Sequence, residues 1–345
     1  MNPRIAIPLY TVIAFSATVT IGGVVFAPAE TWPNVLLSGI LLAGLGLSGG
    51  FIVAVHDASG GRWLGPVRRI ACALTRLVLP GSVVVLTAIV FGASHLYPAV
   101  HGHGFKALWL DRTFFAARAV AYAAAWLISI RFLRRQRGAP AFLVVFAVTV
   151  SLSTFDWIMA LEPHWASTIF AVYHFSGMVT AALAVIAIVA VSRSRSDATI
   201  TSDHLHDVAK LLFAFSTFWM YIWFSQAMLI WYANVPEETV YYARRAYGNW
   251  GVLFWAVVAI EWVLPFLVLL SEKTKRNRTI LSRVAAAVLI GHWLDLYVSI
   301  VAAGAPVPVL NGFELAAAFG TFAAIGWAAT RREAPAPVAT LAPAV

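Results

Sequence analysis

Long apolar segments alternate with short polar connections along the whole chain. A helix that crosses a bilayer needs about 20 mostly apolar residues. The segments that meet this requirement are residues 5–26, 34–55, 70–93, 114–131, 141–161, 166–191, 209–233, 250–271, 282–302 and 311–329. The pattern therefore predicts an all-α polytopic membrane protein with ten transmembrane helices.

Composition agrees with this prediction and excludes several classes of protein. Hydrophobic residues make up 61% of the 345 residues and charged residues 11%, which no ordinary soluble domain shows. The net charge of +9 lies in short clusters between apolar segments, so we exclude a nucleic-acid partner. The single cysteine, Cys72, excludes an internal disulfide, a Cys-ligated iron–sulfur cluster and a covalently attached haem within this chain.

The basic residues predict the orientation of the helices. With the N-terminus in the cytoplasm, basic clusters such as RFLRRQRG and EKTKRNR fall on the cytoplasmic side, as the positive-inside rule requires. The opposite side receives only Lys106, Arg112, Arg244 and Arg245. We therefore predict a multi-pass protein of the bacterial inner (cytoplasmic) membrane with both termini in the cytoplasm.

A repeated pattern predicts how the helices group. Spans five and nine each follow a basic connection and carry an acid near a tryptophan, at Asp156 and Asp295. Duplicated four-helix bundles produce such a pattern, so we predict one bundle of spans 2–5, a second of spans 6–9, and two peripheral helices. The membrane domain would cover residues 1–333, and the Pro/Ala-rich segment 334–345 would be a disordered cytoplasmic tail.

The segment FDWIMALEPHW places three titratable residues at the end of an apolar span. A charge at the bilayer centre costs at least about 3 kcal/mol, so such residues usually face a protein interior or a water-filled cavity. With 1.5 Å per residue, Asp156 lies roughly 10 Å below the outer end of its span. Glu162 and His164 fall at the water interface, where we expect a solvated helix end with Trp165 in the aromatic belt.

Four further titratable residues fall at similar depth in the outer half of the membrane: Arg118, His174, His292 and Asp295. We expect Asp156, His174 and Asp295 to line one polar cavity. The alternative is that Asp156 only pairs with Arg118, and that His292 only contacts Asp295 one helical turn away, as polar contacts between helices.

Glu261 lies near the middle of span eight, in AIEWVLP. A lone carboxylate at this depth either stays protonated, because burial disfavours its charge, or relays protons. Pro265 has no N–H, so the carbonyl of residue 261 loses its usual donor. We expect Glu261 to be a proton-relay position.

Four long segments resemble a known family: FDWIMALEPHWASTIFAVYHFSG, HDVAKLLFAFSTFWMYIWFSQAMLIWYANVPEET, LPFLVLLSEKTKRN and GHWLDLYVS. They are similar to the ActF-type membrane subunit of bacterial alternative complex III, a quinol:cytochrome c oxidoreductase, within the wider NrfD or polysulfide-reductase-like family. The resemblance runs from about residue 5 to 330.

The resemblance implies a ten-helix subunit with two four-helix bundles, a quinone or menaquinone as the only small-molecule cofactor, and no metal or haem of its own. Its implied partners are a homologous NrfD-like quinol-binding subunit, an iron–sulfur subunit and multihaem cytochrome c subunits, and such assemblies can include a terminal oxidase. The positions that match the family are Asp156, Glu162, His164, His174 and Asp295. Where the family often has a histidine, this chain has Glu261.

Two other functions remain open from the sequence. A b-type cytochrome subunit would use His174 and His292 as axial ligands on different helices. A secondary transporter would bind its substrate at the midplane among broken helices, for which the glycines of segment 44–50 and Pro265 are the indications. The expected role is a subunit that contributes a quinone-binding or proton-translocation path, is not catalytic alone, and anchors its partners.

Overall fold

The computed structural model of the protein describes residues 3–61, 63–98 and 104–331, with side chains from residue 6 onward except that of residue 106. Every regular element in these ranges is helical. Ten of the helices found there are long and apolar enough to cross a membrane. The all-α class and the ten predicted spans are therefore confirmed. The predicted tail, residues 334–345, lies outside the described ranges.

We number the long helices in chain order. They are α1 Ala6–Phe26, α2 Pro28–Ala58, α3 Gly65–Phe91, α4 Arg112–Arg134, α5 Ala139–Leu161, α6 Phe170–Arg193, α7 Ser202–Ala233, α8 Gly248–Leu269, α9 Arg278–Gly304 and α10 Gly312–Thr330. Shorter helices in the connections are Ala93–Leu96, Phe105–Trp109, Pro236–Ala246 and Glu272–Arg276. Several long helices extend beyond their predicted spans, because polar turns continue the helix past the apolar window.

Consecutive long helices run in opposite directions, so the connections fall at two ends of the molecule. Among the described residues, one end carries residues 92–98, 104–111, 162–169, 234–247 and 305–311. The sequence predicts that this end faces away from the cytoplasm, and we call it the outer end. The helix Pro236–Ala246 lies there, and we call it the outer helix.

The long helices form the two predicted bundles, α2–α5 and α6–α9, and α1 and α10 pack on each other at the periphery. Helix α2 also contacts α6 and α9 of the second bundle. Its most apolar window is therefore 94% buried, against 11% for α1. Small residues allow the close contact of α2 with α3: a Cβ on Gly81 would lie 2.3 Å from the backbone nitrogen of Ala43, as is typical of membrane helix interfaces.

Polar side chains complete the outer ends of α4 and α10. Asp111 accepts from the backbone N–H groups of Thr113 and Phe114 at 3.1 and 3.0 Å, so it satisfies donors that the first helical turn leaves free. Asn311 and Glu314 form a capping box at the start of α10. Glu314 is also buried against α2, where the Asn34 amide donates to it at 3.2 Å. These contacts satisfy polar groups at helix ends. Glu314 is therefore an example of a buried acid with a structural role, with which the buried acids described below can be compared.

Candidate functional site

The first cluster of buried polar side chains surrounds Asp156 in the bundle α2–α5. Arg118 donates through Nε to Oδ2 at 2.9 Å and through Nη2 to Oδ1 at 3.0 Å. The Tyr122 hydroxyl and the Trp109 indole nitrogen donate to the same carboxylate at 2.9 and 2.7 Å. The arginine also lies over the Trp109 ring, 4.0 Å from its centroid. We call these four residues the Asp156 cluster.

Four hydrogen bonds reach the carboxylate of Asp156, and in each of them an oxygen of Asp156 is the acceptor. A bidentate arginine with two further donors satisfies both oxygens, and the two charges neutralise each other out of water. Such a pair is strongly coupled, because removing one partner leaves the other charge buried. The geometry therefore agrees with the alternative in which Asp156 only pairs with Arg118, as a polar contact between α4 and α5.

The second cluster is in the other bundle, between α6, α8 and α9. His292 Nδ1 lies 3.3 Å from Glu261 Oε1 and 4.0 Å from Asp295 Oδ2. The Tyr173 hydroxyl donates to Asp295 Oδ1. All four side chains are buried, and Glu261 is 0% exposed. We call these four residues the Glu261 cluster.

Helix α8 holds Glu261 on an irregular turn. Residues Ala259–Val263 form a π-helical turn, and Pro265 follows it. The carbonyl that Pro265 leaves without its usual donor accepts instead from the hydroxyl of Ser216 on α7. Such turns are frequent at functional sites, and this one widens α8 where its carboxylate meets α9.

Glycines bring the helices of the Glu261 cluster close together. A Cβ on Gly291 would lie 2.8 Å from Cγ of Glu261, and a Cβ on Gly177 would lie 2.8 Å from Cε1 of His292. A larger residue at either position would force the neighbouring side chain of the cluster to move. The expectation that Glu261 is a lone carboxylate is wrong, because these close contacts place a histidine and a second acid beside it.

Several atoms of the Glu261 cluster lack hydrogen bonds. Among the described residues, both carboxylate oxygens of Glu261 and Nδ1 of His292 are buried without a partner. Buried polar atoms are almost always paired, and an unpaired one costs about 1–3 kcal/mol. Nδ1 of His292 and Oε1 of Glu261 lie 3.3 Å apart, so a proton held between them would pair these two atoms.

The Glu261 cluster also has the composition of a metal site. One ligand atom each from Glu261, His292 and Asp295 can be chosen so that all lie within 4.8 Å of one another. Carboxylates and imidazole suit several divalent cations. The arrangement can therefore either hold and pass a proton or bind a cation, and these two uses exclude each other at a given moment.

His174 belongs to neither cluster. It lines a narrow cavity of about 20 Å³ between the bundles, together with Gly44, Trp126, Trp157 and Met178. The prediction of one cavity shared by Asp156, His174 and Asp295 is wrong, because these residues lie at one depth but on helices that face different bundle interiors. Around His292, the close approach of Gly177 and Trp219 leaves no space for a porphyrin among the described residues, so His174 and His292 do not fit as axial haem ligands.

Glu162 is an ion-pair partner at the outer end rather than a solvated side chain. Its carboxylate is 3.0 Å from Arg244 and 3.2 Å from Arg245, both on the outer helix. His164 is exposed, as an interfacial residue would be. Trp165 is 5% exposed and stacks on Tyr241 at 3.9 Å. Its predicted place in an aromatic belt is wrong, because it fills the contact between the α5–α6 connection and the outer helix.

Sequence reasoning missed several residues that complete these sites. Tyr122 and Trp109 satisfy Asp156, Tyr173 binds Asp295, and Arg245 is buried beside Glu162. Tyr173 directly precedes His174 in the chain, and it is the tyrosine, not the predicted histidine, that contacts Asp295. For Arg245 the one available signal was its place among the few basic residues predicted outside the cytoplasm.

Comparison of the chain with protein-family models found no match, and comparison with characterised proteins found none either. These comparisons assign no family to the chain, and the resemblance of the quoted segments remains an expectation from the sequence.

Proposed function

We propose that the protein is an integral membrane subunit of a quinol:electron-acceptor oxidoreductase of the alternative complex III type, and that its Glu261 cluster carries protons. The observation that carries the proposal is the buried contact of Glu261, His292 and Asp295, in which both oxygens of Glu261 and Nδ1 of His292 lack a hydrogen bond. Quinol oxidation releases two protons for every two electrons, so a complex of this kind needs residues that accept and move protons within the membrane.

The depth of the cluster supports a path from the outer end. Counted along α9 from Gly304, Asp295 lies about 13 Å and His292 about 18 Å below that end. Glu261 lies about 20 Å below the start of α8. The three residues thus step from the outer half to the centre of the membrane, and each carries a group that can hold a proton.

The residues next to Glu261 on its cytoplasmic side differ in chemistry from those toward the outer end. One turn further along α8, Phe266 stacks on Phe213 of α7 and packs on Trp262. Aromatic side chains do not hold protons, so we assign to this chain a half-path that opens outward and ends at Glu261. Proton entry to that carboxylate would then depend on a change in the packing of this aromatic group.

The size of the cavities favours proton movement over quinone binding at this cluster. The cavity that contains Asp295 has a volume of about 10 Å³, and the cavity at His174 about 20 Å³. Each has room for about one water molecule and none for a quinone ring. We therefore assign proton movement and not quinone binding to the Glu261 cluster. The c-type haems and iron–sulfur clusters would belong to partner subunits, with this chain as membrane anchor in the bacterial cytoplasmic membrane, both termini in the cytoplasm.

The test uses the intact complex, purified through a tag on this chain. Multihaem and iron–sulfur subunits should co-purify, and purification without them would overturn the assignment to such a complex. Glu261→Gln keeps the shape of the side chain but removes its titration, so we expect the complex to assemble and its proton-to-electron ratio in proteoliposomes to fall.

Glu314→Gln is the matched control. Glu314 is likewise a buried acid in a membrane helix, but it pairs with Asn34 and Asn311 at a helix start. Its substitution should leave the proton-to-electron ratio unchanged. A wild-type ratio in assembled Glu261→Gln complex would remove the Glu261 cluster from any obligatory proton path.

A further inference from the structure

Arg245 is a cation almost completely enclosed by protein at the outer end of the Glu261 cluster. Its side chain is 2% exposed. Nε donates to the carbonyl of Val298 at 3.1 Å and Nη2 to that of Ser299 at 3.0 Å. The guanidinium carbon lies 3.7 Å from the centroid of the Tyr241 ring. Because arginine does not lose its proton in proteins, a fixed positive charge stands one helical turn outward from Asp295.

The counter-ion of Arg245 comes from a different part of the chain. Nη1 lies 3.2 Å from Oε2 of Glu162, which follows α5 at the outer end. Glu162 reaches the arginine from the side of the solvent, while Val298 and Ser299 hold it from the side of α9. The ion pair therefore occupies the boundary between the buried acids and the outer surface.

Two cavities meet at this boundary. The inner one, about 10 Å³, is lined by Asp295, Tyr173 and Ser299 together with Tyr241 and Arg245. The outer one is a cleft of about 600 Å³ lined by Glu162, His164 and Arg244, again with Tyr241. A volume near 10 Å³ holds about one water molecule. Tyr241 lines both cavities, and together with the ion pair of Glu162 and Arg245 it lies between the buried acid and the outer cleft.

We propose that Glu162 and Arg245 form the outer exit of the proton path: Glu162 receives the proton that leaves Asp295 and passes it to water in the outer cleft, and Arg245 holds Glu162 in place and repels other cations. The proposal rests on the proton-carrying role proposed for the Glu261 cluster. The proton-carrying role does not itself require Glu162 or Arg245, because a cluster that carries protons can release them at another place on the outer end.

The step moves one proton and no electrons. An O–H bond of the Asp295 carboxylic acid breaks, the proton passes through the water of the inner cavity, and an O–H bond forms on the Glu162 carboxylate. Neutral Glu162 is no longer attracted to Arg245, whose charge then stabilises the Asp295 carboxylate left behind. Glu162 next gives its proton to water in the cleft and pairs with Arg245 again.

Several charged and titratable groups surround Glu162. Arg244 and Arg245 of the outer helix both contact its carboxylate, while Glu237 and His164 line the same cleft. The two guanidinium groups hold the carboxylate at the mouth of the cleft. Burial raises the pKa of Tyr241, so its hydroxyl stays neutral and adds no charge to the exit.

The experiment measures proton release by the full complex in proteoliposomes, with an external pH-sensitive dye, after a pulse of quinol. We expect Glu162→Gln to slow release about tenfold, as the loss of a proton-transfer group does, and to abolish the dependence of the rate on external pH. Glu237→Gln is the matched control, because it removes one negative charge from the same cleft without touching Arg245. It should release protons at the wild-type rate.

The result for Glu261→Gln separates this proposal from the proposed function. If Glu261→Gln lowers the proton-to-electron ratio and Glu162→Gln releases protons normally, the exit lies elsewhere and the present proposal is overturned while the proposed function stands. If neither variant has an effect, both are overturned.

A purely structural role of Glu162 has its own test. Should Glu162→Gln fail to assemble, Glu162→Asp decides, because it keeps a titrating carboxylate one methylene further from Arg245. A shifted dependence of release on external pH supports the exit. A wild-type dependence at normal assembly means that Glu162 only fastens the outer helix, which overturns the proposal.

Discussion

The imidazole of His292 and the carboxylate of Glu261 face each other across α9 and α8, 3.3 Å apart, with no hydrogen bond between them and both side chains 1% exposed. Two buried polar groups in this position are costly unless something lies between them. A single proton would convert the contact into a charge-assisted hydrogen bond after a small movement of either side chain. The pair is therefore best understood as a place that alternates between holding and lacking a proton.

A methyl group on Gly177 should disturb this pair without removing any titratable group. The added Cβ would lie 2.8 Å from Cε1 of His292 and 3.3 Å from Cδ1 of Trp219, so the imidazole must shift. We expect Gly177→Ala to lower the proton-to-electron ratio, at a stability cost of about 1–3 kcal/mol for overpacking. Proton release and electron transfer by the assembled complex are the quantities to measure.

Gly22→Ala is the control for this substitution, because a Cβ at Gly22 of α1 meets nothing within 4 Å. Both variants add one methyl group to a membrane helix. A wild-type ratio for Gly177→Ala at normal assembly would mean that the distance from His292 to Glu261 is unimportant for proton movement.

The sequence predicted the spans well because about 20 apolar residues are a sufficient condition for crossing a bilayer. It predicted the clusters poorly because counting residues gives the depth of a side chain and not the direction in which its helix turns it. Asp156 and Asp295 lie at one depth but in different bundles, and Tyr173, not His174, faces Asp295. A two-bundle fold makes the rotation of each helix depend on contacts made far away in the chain.

Arg245 shows a second limit of prediction from the sequence. The segment PEETVYYARRA is polar and amphipathic, so it is typical of an exposed interfacial helix. In the structure it folds over the ends of α5 and α9, and carbonyls of α9 and the carboxylate of Glu162 enclose the guanidinium. No local pattern specifies these partners.

The metal content of the purified protein distinguishes the two chemical uses of the Glu261 cluster. We expect no stoichiometric divalent metal, because Asp295 already accepts a hydrogen bond from Tyr173 and the adjoining cavities admit about one water molecule rather than a hydrated cation. Elemental analysis by mass spectrometry checks this. One equivalent of metal in the wild type, lost in His292→Gln, would replace the proton path by a metal centre.

The orientation of the chain is tested by reporter fusions. Fusions after residues 60, 136 and 275 should report the cytoplasm, and fusions after residues 103 and 240 the other side, because the basic connections favour the cytoplasm. At each position, a fusion to a reporter that is active on both sides of the membrane serves as the control for expression. Opposite results at any two positions would contradict the assignment of the spans. Opposite results at all five would reverse the outer and inner ends, and with them the direction of the proposed half-path.

Asp156→Asn should reduce the amount of folded protein and leave the activity of the remaining complex near normal. The substitution removes the charge that Arg118 binds at 2.9 and 3.0 Å, and breaking a buried pair in this way costs about 3–5 kcal/mol. Assembled complex in the membrane and turnover per assembled complex are measured on the same preparations.

The double variant Asp156→Asn with Arg118→Gln completes the argument. It removes both buried charges, so no unpaired cation remains between α4 and α5, and more assembled protein should be recovered than with Asp156→Asn alone. A functional Asp156 would behave differently: both variants would assemble but would lose about tenfold or more in turnover. Normal assembly together with low turnover would therefore assign Asp156 to the proton path and not to the structural contacts. The two clusters would then no longer differ in function.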